Sequence, residues 1–188
     1  MKAVTEKPLA AMGLREIREV ARRKMPEEAW HHFMGAAESG ATLRRNQRVF
    51  GRFLFRQKIF HDITQPDTSI ELFGRKLPIP GLIAPVGSFS LIGDDAERQV
   101  AEAAGRAGVM MFVSHAAKFA VRDWHRATQA PLVFMGYLSR GRAEVLAQAK
   151  QAEELGFAAV GITMDVVQPV KIGDEVPLST KEIGRAHV

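Results

Sequence analysis

Along the first fifty positions, apolar residues recur at helical spacing. Leu14, Ile17, Val20 and Ala21 form one stripe, which the Met25-Pro26 step ends. A proline suits the first turn of a helix, where its missing N–H would have no partner anyway. A second helix is therefore expected from Glu27, carrying Trp30, Phe33, Met34 and Ala37 on one side until Gly40 interrupts it. Thr42 is placed to cap a third helix running to about Phe50. After an extended stretch the pattern becomes β-like. Residues 69–72 and 75–79 flank Phe73-Gly74 and predict a small hairpin closing the bottom of a barrel, with Pro78 and Pro80 at its exit.

A repeating pattern begins at residue 81. Four nearly continuous apolar runs, 81–85, 109–114, 131–137 and 158–165, alternate with three helical stretches. The first, 95–107, carries Ala96, Val100, Ala103, Ala104 and Ala107; a short one spans 121–127; the third, 141–155, aligns Val145, Leu146, Ala149 and Ala152. Asp94 is the expected N-cap of the first, with Gly108 and Gly156 as stops. Strands that are apolar throughout are buried on both faces, and intervening amphipathic helices serve as parallel crossovers. The fold class expected is α/β, a (β/α)8 TIM barrel type, incomplete at about four βα units. The helical and extended segment 1–65 prefaces residues 66–188, the first half of a barrel, in one domain overall.

Composition narrows the function classes. The chain has 188 residues, 46% hydrophobic and 25% charged, in the range of an ordinary globular protein. Its apolar runs are too short to span a bilayer, and residues 1–8 lack the apolar core of a secretory signal, so a cytoplasmic location is expected. Without cysteine there is neither a disulfide framework nor a thiolate metal site. A net charge of +5, with Arg44, Arg45, Arg48, Arg52, Arg56 and Lys58 interleaved among Phe50, Phe53, Phe55 and Phe60, is what a single-strand nucleic-acid binder needs. The same spacing fits phenylalanines packed under a barrel with arginines solvated or paired, and no nucleic-acid partner is expected. No Gly-x-Gly-x-x-Gly follows a strand, and neither a Walker loop nor a nucleophile elbow is found. His31 and His32 are adjacent and diverge on a helix, Asp165 alone is a weak cation ligand, and His115 and His125 read as surface or packing residues; no metal site is expected.

In such a barrel the C-terminal ends of the strands face the site. Here they read Ala84-Pro85-Val86-Gly87, Val113-Ser114-His115, Met135-Gly136-Tyr137 and Thr163-Met164-Asp165. Together with Thr42, Leu43, Asn46 and Phe50, Leu72-Phe73-Gly74, Leu77-Pro78-Ile79-Pro80 and Ile83-Ala84-Pro85, they make the chain from about Lys24 to Asp165 resemble the FMN-dependent α-hydroxy acid oxidase and dehydrogenase family, the group of glycolate oxidase, lactate oxidase and mandelate dehydrogenase. The resemblance implies FMN as cofactor and oxidation of a small 2-hydroxy acid to a 2-oxo acid. It lays the backbone of Pro85, Val86 and Gly87 against the isoalloxazine, with Gly87 leaving room for close approach. It gives the hydroxyls of Ser114 and Thr163 to the ring system and sets Met135 beside the flavin, where the family usually has glutamine. Tyr137 would be catalytic and substrate-binding, since a phenol both donates and accepts at the substrate oxygen. His32 stands where the family usually has a tyrosine on the substrate carboxylate, and an imidazole there would introduce pH dependence. The alternatives are strand-end packing or capping for the rim residues and a ligand-free helix surface for His32.

Near residues 170–175 the family places an arginine, where this chain offers Lys171 and Asp174. The resemblance also implies a lysine after the fifth strand, a histidine base after the sixth with a nearby arginine, and a phosphate site from the last two strands; no strand after Asp165 supplies them. The chain is therefore expected to be a truncated or split N-terminal part, inactive alone, with a complementing C-terminal half or a second copy as partner. The alternative is a non-catalytic half-barrel that self-associates or pairs with another chain. Residues 182–188 resemble a translated sequencing-adapter DNA, so natural coding sequence is expected to end near Lys181.

Overall fold

Two helices clamped by a tryptophan open the computed structural model, which describes residues 8–37, 39–57, 59–60, 64–138 and 141–164. α1 (Leu14–Lys24) starts where the Glu16 carboxylate accepts the Gly13 N–H at 2.8 Å. α2 (Glu27–Met34) follows with Pro26 as its N-cap. Trp30 lies under the guanidinium groups of Arg18 and Arg22, 5.8 and 5.3 Å from the ring, a cation–π clasp between the helices. α2 ends before the expected Ala37, because the chain turns extended at Gly35, where a β-carbon would stand 2.4 Å from the His31 carbonyl oxygen. α3 (Ala41–Val49) is capped by Gly40 in the left-handed region, φ 68°, and not by Thr42, which lies inside the first turn.

The hairpin forms from β1 (Ile70–Leu72) and β2 (Arg75–Leu77), antiparallel with Ile70 opposite Leu77 and Leu72 opposite Arg75. Phe73 and Gly74 take φ of 47° and 66°, the primed two-residue turn that matches strand twist. β2 stops before Pro78, which has no N–H for a ladder.

Four parallel strands follow in the order β3 (Leu82–Ile83), β4 (Met110–Ser114), β5 (Leu132–Tyr137) and β6 (Ala159–Thr163). They are joined by α4 (Ala96–Ala107), α5 (Val121–Ala127) and α6 (Arg142–Glu154). The register sets Met111 beside Leu132 and Val113 beside Phe134, so these four face the helices and pack with Ala101, Ala104, Val121, Trp124 and Ala152. The opposite, inner face carries Met110 and Val133, on which fully buried Leu77 of the hairpin closes the N-terminal end of the sheet. This is an incomplete (β/α) barrel, as the alternating pattern implies.

Several details differ from the pattern. Asp95, not Asp94, is the N-cap of α4; the Asp94 carboxylate instead accepts from Lys118 Nζ at 3.0 Å. Ala103 and Ala107 are exposed, while Glu97 and Ala101 take the buried stripe. Leu146 is exposed beside Ala149, Phe157 and Val160, in a groove between α6 and β6. Phe50, Phe53, Phe55 and Phe60 are exposed and not packed under the sheet. Asp165, Lys171, Asp174, Lys58 and residues 182–188 lie outside the described residues.

Candidate active site

The ladder fixes which side chains meet at the C-terminal rim. Ser114 pairs with Met135 and Met135 with Gly161, while Tyr137 pairs with Thr163 one row higher. By strand alternation all of them share the inner face with Met110 and Val133. Met135 lies flat across its neighbour, so that a β-carbon at Gly161 would stand 2.5 Å from its Sδ. Pro85, Val86 and Gly87 follow the end of β3 on the same rim. The Val86 side chain packs toward the helices, and a β-carbon at Gly87 would stand 2.9 Å from that of Ala116, so this turn is held against the loop after β4.

Ser114 is buried and its Oγ accepts the Ala116 N–H at 3.1 Å. The capping role is therefore realised, and the hydroxyl proton remains to donate. Thr163 and Tyr137 are half-buried. His32 sits on α2, on the helical preface, with its ring edge-on to Phe33 at 5.2 Å. It is not a member of the row formed by β4, β5 and β6.

Two polar groups stand out that chain reading did not assign to the site. Glu97 is 2% exposed, and its carboxylate oxygens accept the N–H groups of Lys118 and Phe119, both at 2.8 Å, so α4 holds the loop after β4. The available signal is its place on the stripe with Ala101 and Ala104 at helical spacing. His115 is packed, as one of the two sequence readings holds, but it is also polar-bonded. Its Nδ1 accepts the Tyr137 N–H at 3.1 Å, and its Nε2 lies 3.4 Å from Glu144 Oε1. His125 is exposed, beside a cavity of about 280 Å³ near the start of β5 that Arg75, Thr128 and Gly156 also line. That cavity is at the end opposite to where barrel chemistry sits, and none of the expected site residues borders it.

The rim fits the ring of a flavin. Met135 and Phe112 offer flat apolar contact, Ser114 and Thr163 offer hydroxyls, and the turn at Pro85–Gly87 offers backbone groups, the mixture a planar ring with one polar edge requires. Pro85, Val86, Gly87, Ser114, Met135 and Thr163 carry no positive charge, so the phosphate of FMN needs partners other than these.

Parallel strands crossed by helices, with hydroxyl, thioether and phenol side chains gathered at their C-terminal ends, define the class as an incomplete (β/α) barrel with its candidate site at the rim. A profile of the FMN-dependent dehydrogenases matches residues 21–178. The chain is 31% identical over 154 residues to L-lactate dehydrogenase of Actinobacillus pleuropneumoniae serotype 5b (strain L20), covering 82% of this chain and 40% of that relative. It is 31% identical over 150 residues to glycolate oxidase 3 of Arabidopsis thaliana, covering 80% and 41%. Its fold superposes on a soluble mutant of the membrane-associated (S)-mandelate dehydrogenase from Pseudomonas putida with a TM-score of 0.76 at 24% identity, covering 82% of this chain and 44% of that one. The chain belongs to the FMN-dependent dehydrogenase family, whose cofactor is FMN. It spans about 40% of the length of the L-lactate dehydrogenase it matches.

Proposed function

We propose that the protein oxidises a small 2-hydroxy acid to a 2-oxo acid with FMN, and that this chain supplies the N-terminal part of the barrel and is inactive alone. The observation that carries the reading is the gathering of Ser114, Met135, Tyr137 and Thr163 on the inner face at the C-terminal rim. FMN, when bound, takes up the electron pair that leaves the substrate. Ser114, Thr163 and the Pro85–Gly87 backbone hold the ring, with Met135 against it. The Tyr137 phenol orients and polarises the substrate oxygen, and His32 meets the carboxylate. Ser114, Met135, Tyr137 and Thr163 are given no role as base, so abstraction of the hydroxyl proton falls to a group outside these four, a contribution of roughly 10²–10⁴ in rate. In this reading a complementing C-terminal half, the proposed partner, supplies that base, and the chain without it does not turn over. Residues 1–65 and 66–188 act as one domain, with the first segment carrying His32.

A second reading is a half-barrel that self-associates without catalysis. It is favoured by Val160 and Ile162 on β6 and Leu146 on α6, apolar side chains exposed along one side of the sheet. No helix among the described residues is long and apolar enough to cross a membrane. A cytoplasmic site of action is part of the proposal, against the membrane association of the matched mandelate dehydrogenase.

The test is a titration of the purified chain with FMN, following flavin fluorescence with the size of the protein recorded in parallel, then an assay on lactate, glycolate and mandelate. Saturable binding by a monomer without turnover is the expected result. Turnover by the chain alone would overturn its inactivity, absence of binding would show that the complementing half is needed for the cofactor, and a stable dimer that binds no FMN would establish the second reading.

A further inference from the structure

We propose that His115 is a positioning residue, which fixes the stance of the Tyr137 phenol at the rim by taking the Tyr137 backbone N–H on its imidazole. This rests on the reading that Tyr137 faces the substrate.

The argument begins with the parallel ladder. The His115 N–H donates to the Met135 carbonyl at 2.9 Å. In regular parallel pairing the carbonyl of that same residue would accept the N–H two positions further along the neighbouring strand, that of Tyr137. The chain leaves the sheet here, since β4 ends at Ser114 and a turn follows. The acceptor at Tyr137 is instead His115 Nδ1, at 3.1 Å. A side chain thus completes the last rung that the backbone abandons.

The geometry also settles the ring's chemical state. A nitrogen that accepts an N–H carries no proton, so the ring's proton is on Nε2, which faces Glu144 Oε1 at 3.4 Å in the first turn of α6. One imidazole therefore ties the end of β4 to β5 and lies beside the first turn of α6. Its side chain is 1% exposed and lies against the rings of Phe134 and Tyr137, with centroids 6.4 and 6.5 Å away. The anchor acts on the backbone of the residue whose phenol is at issue. A displacement of about 1 Å in a group of this kind costs up to roughly a hundredfold in rate.

Tyr137 is the only tyrosine of the chain, so its signals are read without ambiguity. In the 188-residue chain labelled with ¹⁵N-histidine and ¹⁵N-tyrosine, the single tyrosine amide is expected to show a scalar coupling across the N–H···N bond to one histidine nitrogen. His115→Leu removes the coupling and moves the amide resonance. His115→Asn, whose side-chain oxygen sits near the place of Nδ1, returns the resonance toward its original position. In the FMN-loaded assembly of this chain with its proposed complementing half, His115→Leu lowers kcat/KM by roughly ten- to a hundredfold and His115→Asn restores most of it. A tyrosine amide coupled to no histidine nitrogen, or equal losses in both variants, would overturn the proposal. The coupling is measured without substrate or flavin, so it is independent of the catalytic reading, which fails separately if Tyr137→Phe turns over normally.

Discussion

At the residue scale, Glu97 shows how a charge can belong inside. Its carboxylate closes the backbone account of the loop after β4, satisfying the N–H groups of Lys118 and Phe119. Glu97→Ala leaves both unsatisfied and is expected to cost about 2–4 kcal/mol, read from urea unfolding. Glu97→Gln keeps one acceptor oxygen and should lose less; an alanine variant as stable as the parent would show that the loop does not depend on this carboxylate. Chain reading treats the helix by its apolar stripe and passes over a glutamate on the same stripe. Identity of residue says charged, and only burial shows what the charge is for. The same limit applied to His115, whose bond to Tyr137 joins residues 22 positions apart.

At the element scale, the N-terminus of α4 and the hairpin turn each carry a local device. Arg98 bonds Asp95 and Glu102, and the Arg98 side-chain hydrogen bond holds the Asp95 carboxyl below its usual range. A carboxyl whose pKa is depressed on folding adds stability above its unfolded value near 3.8 and loses that contribution as pH falls through the lower folded value. Asp95→Asn should therefore melt at a lower temperature than the parent at pH 6, with the gap closing below about pH 4. A gap that persists unchanged at low pH would assign the effect to something other than this carboxylate. In the hairpin, Phe73 occupies a left-handed φ of 47° with a β-carbon that disfavours it. Phe73→Asn supplies the Asn-Gly pair that this turn type prefers, and thermal melts are expected to show a gain of about 1 kcal/mol. The turn was legible from Phe73-Gly74 between two β-type runs. Strand ends were less so: β3 is two residues long where five were expected, because pairing with β4 covers only Leu82 and Ile83.

At the scale of the whole molecule, the sheet has a finished side and an open one. Trp124, Phe134 and the α4 alanines make a closed core under the helices, Val160 and Ile162 are exposed on β6, and the row from Ser114 to Thr163 lies on the opposite, inner face. Flavin binding and oligomer size, measured together on the lone chain, report whether this surface suffices for the cofactor. The phenylalanines between Phe50 and Phe60 belong to the same question. Their spacing fits packing beneath a barrel, and in the structure they are exposed, so the aromatic rings have no facing apolar surface among the described residues.

The sequence by itself determined the alternation of apolar runs and amphipathic helices, hence a parallel sheet, its crossover order and the strand ends at Ser114 and Tyr137, while β6 stops at Thr163, short of the expected residue 165. Periodicity suffices for this, because a strand or helix is set by contacts between near neighbours and by one buried face. Only the tertiary structure decided that Leu146 turns outward, that Met135 lies over Gly161 and that the imidazole of His115 completes the ladder at Tyr137. Each of those depends on a surface brought from a distant part of the chain, and distance in space is what a linear pattern does not contain.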